Sequence, residues 1–574
     1  PARHPLPLDA LLRTLDGMAA LGLNVLHLHL NDDQGFRVET PSCPQLHGRA
    51  GADGHLSIAD VRALVEAAAV RGIRVVPELD VPGHAGALLW ARPDLAAGPP
   101  PTALPRAFGP GRHALDPTLD ATWTFLDGVV GDLVAQFPDA FLHLGGDEVH
   151  PDVFAFEDAR RRAWMAERSL EDSAAVQAWF IREMVALLAR HGRRAVGWDE
   201  VLHPAVPESL VVQSWRGAAS LRTATAAGHD ALFSSGWYLD LMYPAGLHYA
   251  FDPAADGQAM ARAEARILDA PALAGLRRGA ESLLKGAEAA RSRTAARPGR
   301  ILGGEACLWG ELVTAELLDM RLYGRLPAVA ERLWSEAAVD DEADHYRRLP
   351  SFLAHLQTVT ACRPLDGHRP VLARLGIGGV EGDERGDKRG DDGGAAADPL
   401  LAHVETLMAA LEPARWYRRL LGPEALANRL GEGSGMGSAA PRRPYDADRP
   451  LRRIVDLLPP ESLDVRAFDA ELAAASTAPA AVAALQTRAR RWRDARDGLA
   501  GVRARIPELD ELGPQLEALA ACGELLDAWL ARQADGAAAG KDLAARLAAI
   551  EASLPAHGEV TLAVLAPLRA RIAA

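Results

Sequence analysis

Cysteine is scarce in this chain: four residues in 574, at Cys43, Cys307, Cys362 and Cys522, with no CxxC pair. That spacing gives no cysteine-based metal ligand set and argues against a disulfide framework in a chain this long. Positive charge is in deficit as well: 62 Lys+Arg stand against 77 Asp+Glu, a net of −15. The balance argues against binding to nucleic acid or to an anionic membrane surface. Long apolar runs are missing too, and none reaches the roughly 18 residues of a membrane-spanning helix. The opening Pro1-Ala2-Arg3-His4 has neither an initiator residue nor the apolar core of a signal peptide. It reads as the middle of a longer protein. Compartment and oligomeric state stay open; a signal peptide further upstream would place the protein in the periplasm or outside the cell.

What is present is a globular chain, 49% hydrophobic and long enough for two or three domains. Strand-like runs at Leu23–Leu30, Ile73–Asp80, Phe141–Gly146, Arg194–Asp199, Leu210–Trp215, Asp230–Trp237 and Ile301–Trp309 alternate with helical stretches. Alternation of this kind implies a parallel sheet. Most of these runs end in polar or aromatic residues, so functional side chains gather at one end of many strands. That pattern belongs to a (β/α)8 barrel rather than to an open sheet with a single switch point. Seven strands are legible, and the eighth is expected ahead of Pro1. The expected domains are a catalytic barrel over 1–370, with a helical insertion at about 253–300, and a helical domain over 399–574. A Gly/Asp-rich flexible linker over 371–398 is expected between them, with a second flexible stretch at 432–447. In the C-terminal part, Leu485, Ala489, Trp492, Ala495 and Leu499 recur at helical steps, which predicts a packed helical bundle.

The chemistry concentrates in His143-Leu144-Gly145-Gly146-Asp147-Glu148. An apolar strand runs into two glycines and delivers two adjacent carboxylates at its C-terminal end. Adjacent acids repel, and unequal surroundings split such a pair into two roles. His27 and His29 share one face of the first strand. With His84 and Asp147 they allow a rival reading, a metal-dependent hydrolase on a barrel. Interior hydrogen bonding is the better reading of both histidines. Pro82-Gly83 turns the chain so that His84 can overhang the mouth. Trp198, Trp215, Trp237 and Trp309 end strands in a chain with 12 tryptophans, near Asp199, Asp240 and Glu311. Indole faces and carboxylates together suit a sugar ring and its hydroxyls.

At this point the sequence resembles the family 20 glycoside hydrolases, the β-N-acetylhexosaminidases. The resemblance rests on Leu23 to Arg37, Pro77 to His84, His143 to Glu148, Gly197-Trp198-Asp199-Glu200, Gln213-Ser214-Trp215, Trp237-Tyr238-Leu239-Asp240 and Gly303 to Glu311, in the family's order. It implies exo-acting removal of terminal non-reducing GlcNAc or GalNAc from a carbohydrate, without metal or cofactor, by a retaining mechanism in which the substrate's own acetamido group is the nucleophile. Glu148 is then the general acid and base, Asp147 holds the acetamido N–H, and Tyr238 donates to the acetamido oxygen. Trp198, Trp215 and Trp309, with Trp237, would line the pocket. Asp240 and Glu311 would bind the far hydroxyls, and His84 with Asp32 or Asp33 would tune Glu148. The family's first strand and its sugar-binding arginine, which lie just upstream of a stretch like Ala2-Arg3-His4, are not in this chain. A catalytically impaired sugar-binding fragment is therefore the non-enzymatic alternative.

Overall fold

The structure is a computed structural model that describes residues 1–269, 297–378, 398–420, 451–536, 540–555 and 559–572. These divide into two compact units, Pro1–Pro364 and Leu365–Arg419 together with Leu451–Ala574.

The first unit is organised by a curled parallel sheet of seven strands. These are β1 (Val25–His29), β2 (Arg74–Glu78), β3 (Phe141–His143), β4 (Arg194–Trp198), β5 (Val211–Ser214), β6 (Ala231–Phe233) and β7 (Ile301–Gly304). They lie side by side in chain order. All seven sequence-derived strands are found, each trimmed at the C-terminal end because the last polar residues leave the ladder for the mouth. The register runs Val25↔Arg74 to His29↔Glu78 between β1 and β2. Buried strand residues such as Val75, Leu142, Val212 and Phe233 form the core with the inner faces of the connecting helices. One such helix, Ile58–Val70, starts on a capping box. Ser57 accepts from the Asp60 amide at 3.1 Å while Asp60 accepts from the Ser57 amide at 2.9 Å.

The outer edges of β1 and β7 carry no partner strand among the described residues. Between them lies a cleft of about 470 Å³, lined by His27, His29, Gly303 and Glu305 and covered by Leu11, Thr14 and Met18 of the helix Leu8–Ala20. Val25, Ile301 and Leu302 are 37–43% exposed along these edges. At the mouth, the first residues of the chain cross from one edge to the other. The Ala2 amide donates to the His29 carbonyl at 3.1 Å, and His4 Nδ1 meets the Gly310 carbonyl at 2.6 Å.

Part of the expected insertion is a helix, Gly257–Asp269; residues 270–296 lie outside the described residues. The expected linker begins too early. A helix spans Arg369–Arg374, and Val371, Leu372 and Ile377 are fully buried, so 371–377 are packed chain. Three apolar residues in so short a stretch give no periodic signal beside the glycines that follow. Residues 379–397 and the stretch 432–447 lie outside the described residues.

In the second unit, helices Pro479–Leu499 and Gly513–Ala534 pack through Leu485, Ala489, Trp492, Leu516, Leu519 and Leu526, as the periodicity predicts. A Cβ at Gly523 would lie 2.7 Å from the Ala489 carbonyl, so glycine lets the two helices approach. The unit is not purely helical. Leu411–Pro413 pairs antiparallel with Val560–Leu562. Strands this short leave no period-two signature in the sequence.

Candidate active site

Strand β3 hands over to the glycines with a turn that other residues resist. Gly145 and Gly146 have φ of 68° and 91°. A Cβ at Gly145 would stand 1.8 Å from Asp80 Oδ1. The turn delivers Asp147 and Glu148, with Glu148 itself held at φ 48°. Non-glycine residues in this left-handed region cost about 1–3 kcal/mol, which the surroundings must offset. The loop beyond is anchored by Phe154 and Phe156, which pack on Ala97, Ala114 and Val176.

His84, at φ 46° and 4% exposed, stands between the acids and a buried aspartate. Its Nδ1 lies 3.0 Å from Asp32 Oδ1. Its Nε2 lies 3.5 Å from both Asp147 Oδ2 and Glu148 Oε2. Burial pulls the imidazolium down, but Asp32, Asp80 and Asp147 outweigh it and hold His84 well above the ordinary histidine value. Burial pushes the Asp32 carboxyl up, yet Arg3 and His84 hold it well below the carboxylate range. Asp80 goes the other way: burial and then Asp147 push its carboxyl well above that range. Asp33 is not the histidine's partner. Its carboxylate accepts from the amides of Gly86 at 2.7 Å and Gly111 at 2.5 Å, stitching the loop after β2 to the end of β1.

Behind the mouth lies an ion-paired interior. Glu78 accepts from Trp198 Nε1 at 2.9 Å and meets His29 Nδ1 at 2.7 Å, His143 Nδ1 at 3.0 Å and His27 Nε2 at 3.1 Å. Burial opposes its charge, but the histidines hold the Glu78 carboxyl well below its usual range. Burial likewise lowers His27, and Glu305 and Glu78 overcome it, carrying the ring up to about 10. Ligating atoms do come within 4.8 Å of one another in His27–Glu78–His143 and in Asp80–His84–Asp147. A metal needs neutral imidazole, however, and His27, His29 and His84 all have raised values against carboxylates. The contacts present are histidine–carboxylate ion pairs, with the carboxylates that could ligate being the same ones that raise the three histidines.

Opposite the acids, Trp198, Trp215, Tyr238, Cys307 and Trp309 form one aromatic cluster. Ring centroids of Trp215 and Tyr238 are 6.1 Å apart, and those of Trp198 and Trp309 are 5.8 Å apart. Trp215 is fixed by its Nε1 donating to Glu200 Oε2 at 2.8 Å. Trp237 does not join the cluster. It is fully buried at a centroid distance of 5.1 Å from Phe233, and its Nε1 donates to the His248 carbonyl at 3.0 Å. Trp237 closes a turn after β6, its amide donating to the Ser234 carbonyl at 2.8 Å, and the turn lays its indole on Phe233. Asp240 follows on the same turn, and burial with neighbouring Glu311 pushes its carboxyl up to about 8. Asp147 Oδ1, Glu148 Oε1 and Asp240 Oδ1 are buried and, among the described residues, lack a hydrogen-bond partner. Buried polar atoms without partners are costly, and a polar ligand would satisfy them.

The sequence reading missed Arg3, whose guanidinium reaches both Asp32 and Glu311. Arg3 stands in the family-like stretch Ala2-Arg3-His4, and the signal was there although no role was given to it. Glu78 and Glu305 also lacked an assigned role, although a carboxylate ending a buried Val-Val-Pro run is itself a signal of function.

The chain's sequence and fold lead to one family. The model of the glycosyl hydrolase family 20 catalytic domain matches residues 1–337. Mouse β-hexosaminidase subunit beta is 31% identical over 362 residues, covering 61% of this chain and 60% of that protein. A β-hexosaminidase of Porphyromonas gingivalis is 32% identical over 380 residues, covering 64% and 45%. The chain thus spans about half to three fifths of the length of these relatives. Among solved structures, a Flavobacterium johnsoniae chitobiase superposes over 100% of this chain and 76% of its own, with a TM-score of 0.77 and 26% identity. A Vibrio harveyi exo-β-N-acetylglucosaminidase in complex with N-acetylglucosamine matches at a TM-score of 0.51 and 26% identity, covering 62% and 57%. With the family model spanning more than half of the sequence and the two acids set beside an aromatic pocket, the chain belongs to glycosyl hydrolase family 20.

Proposed function

We propose that this chain carries the catalytic site of an exo-acting β-N-acetylhexosaminidase that removes terminal N-acetylhexosamine with retention. The observation that carries the reading is His84 within 3.5 Å of Asp147 and Glu148 while its other nitrogen is held by Asp32. Glu148 gives its proton to the glycosidic oxygen as the bond to the anomeric carbon breaks. The acetamido carbonyl oxygen attacks that carbon and closes an oxazolinium ion. Asp147 accepts from the acetamido N–H and offsets its growing positive charge, and Tyr238 donates to the acetamido oxygen. Glu148, now ionised, takes a proton from water as the water opens the ring. Trp198, Trp215 and Trp309 wall the acetamido pocket, while Asp240 and Glu311 meet the far hydroxyls. Asp240, its carboxyl pushed up to about 8 by burial and Glu311, can donate as well as accept when it holds its proton.

Release of an aryl alcohol from an aryl N-acetyl-β-glucosaminide tests this against the metal reading. Prolonged treatment with EDTA should leave the rate unchanged within error. If chelation abolishes turnover and zinc restores it, the histidines are ligands and the proposal is wrong.

We also infer that the finer architecture is a closed (β/α)8 barrel, with an extended strand lying in the cleft between β1 and β7. Two unpaired edges, exposed Val25, Ile301 and Leu302, and a helix already covering the gap support it. Supplying a parallel strand ahead of Pro1 should raise the melting temperature and the turnover of the chain together. If the 574-residue chain melts as high and works as well, no strand is missing from the cleft and this inference is wrong.

A further inference from the structure

Glu78 is fully buried at the end of β2, in register with His29 of β1 and His143 of β3. Taking a carboxylate out of water is costly unless it is paired and hydrogen-bonded. Its two oxygens are divided among neighbours accordingly. Oε1 accepts from Trp198 Nε1 at 2.9 Å. Oε2 lies 2.7 Å from His29 Nδ1 and 3.1 Å from His27 Nε2. None of these contacts takes part in the proposed reaction. Both nitrogens of His29 face carboxylates, since Nε2 lies 2.9 Å from Asp32 Oδ2, so that ring is held at both ends. It meets the Trp309 ring edge to face, with centroids 5.0 Å apart and planes at 89°. One carboxylate therefore fixes Trp198 directly and Trp309 through His29.

We propose that Glu78 is a positioning residue that sets the length of N-acyl group the site accepts. Trp198 is 2% exposed, while Trp215 and Trp309 beside it are half-buried. Trp198 is thus the floor of the aromatic cluster and the other two are its sides. In the hexosaminidase reading, on which this inference rests, the acyl group enters between the sides and ends at the floor. An indole whose N–H is anchored to a buried charge cannot tilt or withdraw without breaking a charge-assisted hydrogen bond and leaving both partners unsatisfied. A close-packed pocket accepts extra methylenes only by shifting its walls. A fixed floor turns each added methylene into a clash, and discrimination of this kind is about ten- to two-hundred-fold per methylene.

The measurement is the ratio of kcat/KM between two aryl 2-acylamido-2-deoxy-β-glucosides, one N-acetyl and one N-butyryl. Wild type should favour the acetyl substrate by at least about a hundredfold. Glu78→Met keeps the volume and removes both oxygens. It should lower the ratio about tenfold or more, the scale of losing a hydrogen bond to a charged acceptor. Glu78→Gln leaves a carbonyl oxygen for the indole N–H, so its ratio should stay within about threefold of wild type. A residue that only stabilised the fold would lower both substrates alike; an unchanged ratio in Glu78→Met overturns the proposal. Equal turnover of the two substrates by wild type overturns it as well. If Glu78→Met does not fold, Glu78→Asp decides. It keeps the charge opposite His27 and His29 but draws the acceptor back from the indole by one methylene, and an unchanged ratio there is equally fatal. Wild type that cleaves neither substrate sinks the hexosaminidase reading and this inference with it, whereas an unchanged ratio in an active enzyme sinks this inference alone.

Discussion

Glu148→Gln should lower cleavage of N-acetylhexosaminides with sugar leaving groups by about 10² to 10⁴, the range that a positioned general acid contributes. Aryl glycosides with acidic phenols should lose far less in the bond-breaking step, because such leaving groups depart without a proton. The substitution keeps shape and removes only the transferable proton. Binding should therefore survive, read as an unchanged dissociation constant for the N-acetylhexosamine product. The geometry gives the prediction its force. Glu148 Oε1 is buried and, among the described residues, has no hydrogen-bond partner, while Oε2 faces His84 Nε2 at 3.5 Å. One oxygen is thus available to a ligand and the other to the group that sets its electrostatics. Equal losses on both kinds of substrate would remove Glu148 from the acid role.

The parts of the fold that were legible in the sequence are those with a strong period. The seven strands are short apolar runs between turn signals, and burying the five inner ones on both faces forces that composition. The pairing of Leu485, Trp492 and Leu499 with a second helix was legible for the same reason. The two-residue step between Pro82 and His84 announced a turn, and the turn does carry His84 to the acids. What the sequence withheld was the direction in which neighbours point. Trp237 and Tyr238 stand side by side, and nothing in either residue says which faces the mouth; Phe233 and Phe251 settle it by drawing the indole inward. Asp32 and Asp33 pose the same problem, settled by the amides of Gly86 and Gly111, more than fifty positions away in sequence. The partners of Arg3 were not legible because they are 29 and 308 positions distant.

Removing the 2-acetamido group should be the most damaging change to the substrate. An aryl β-glucoside, otherwise identical, should be cleaved at a rate indistinguishable from the uncatalysed one. The nucleophile of the proposed reaction belongs to the substrate, and well-oriented intramolecular attack corresponds to effective molarities of about 10⁵ to 10⁸ M. Nothing in the site replaces it. Asp147 stands beside Glu148 at the His84 Nε2 position, with one of its oxygens 3.5 Å from that nitrogen. The residue is poised to accept from an N–H rather than to attack carbon. The alternative is specific. If Asp147 were the nucleophile of an ordinary two-carboxylate retaining enzyme, a plain glucoside would turn over at a comparable rate, and a 2-fluoro glucoside would trap a covalent adduct on Asp147. A mass spectrum of the intact chain after incubation with such a reagent reads the difference directly. No adduct, together with no glucoside turnover and rapid turnover of the acetamido substrate, is the expected result; an adduct on Asp147 would overturn substrate assistance while leaving Glu148 as the acid.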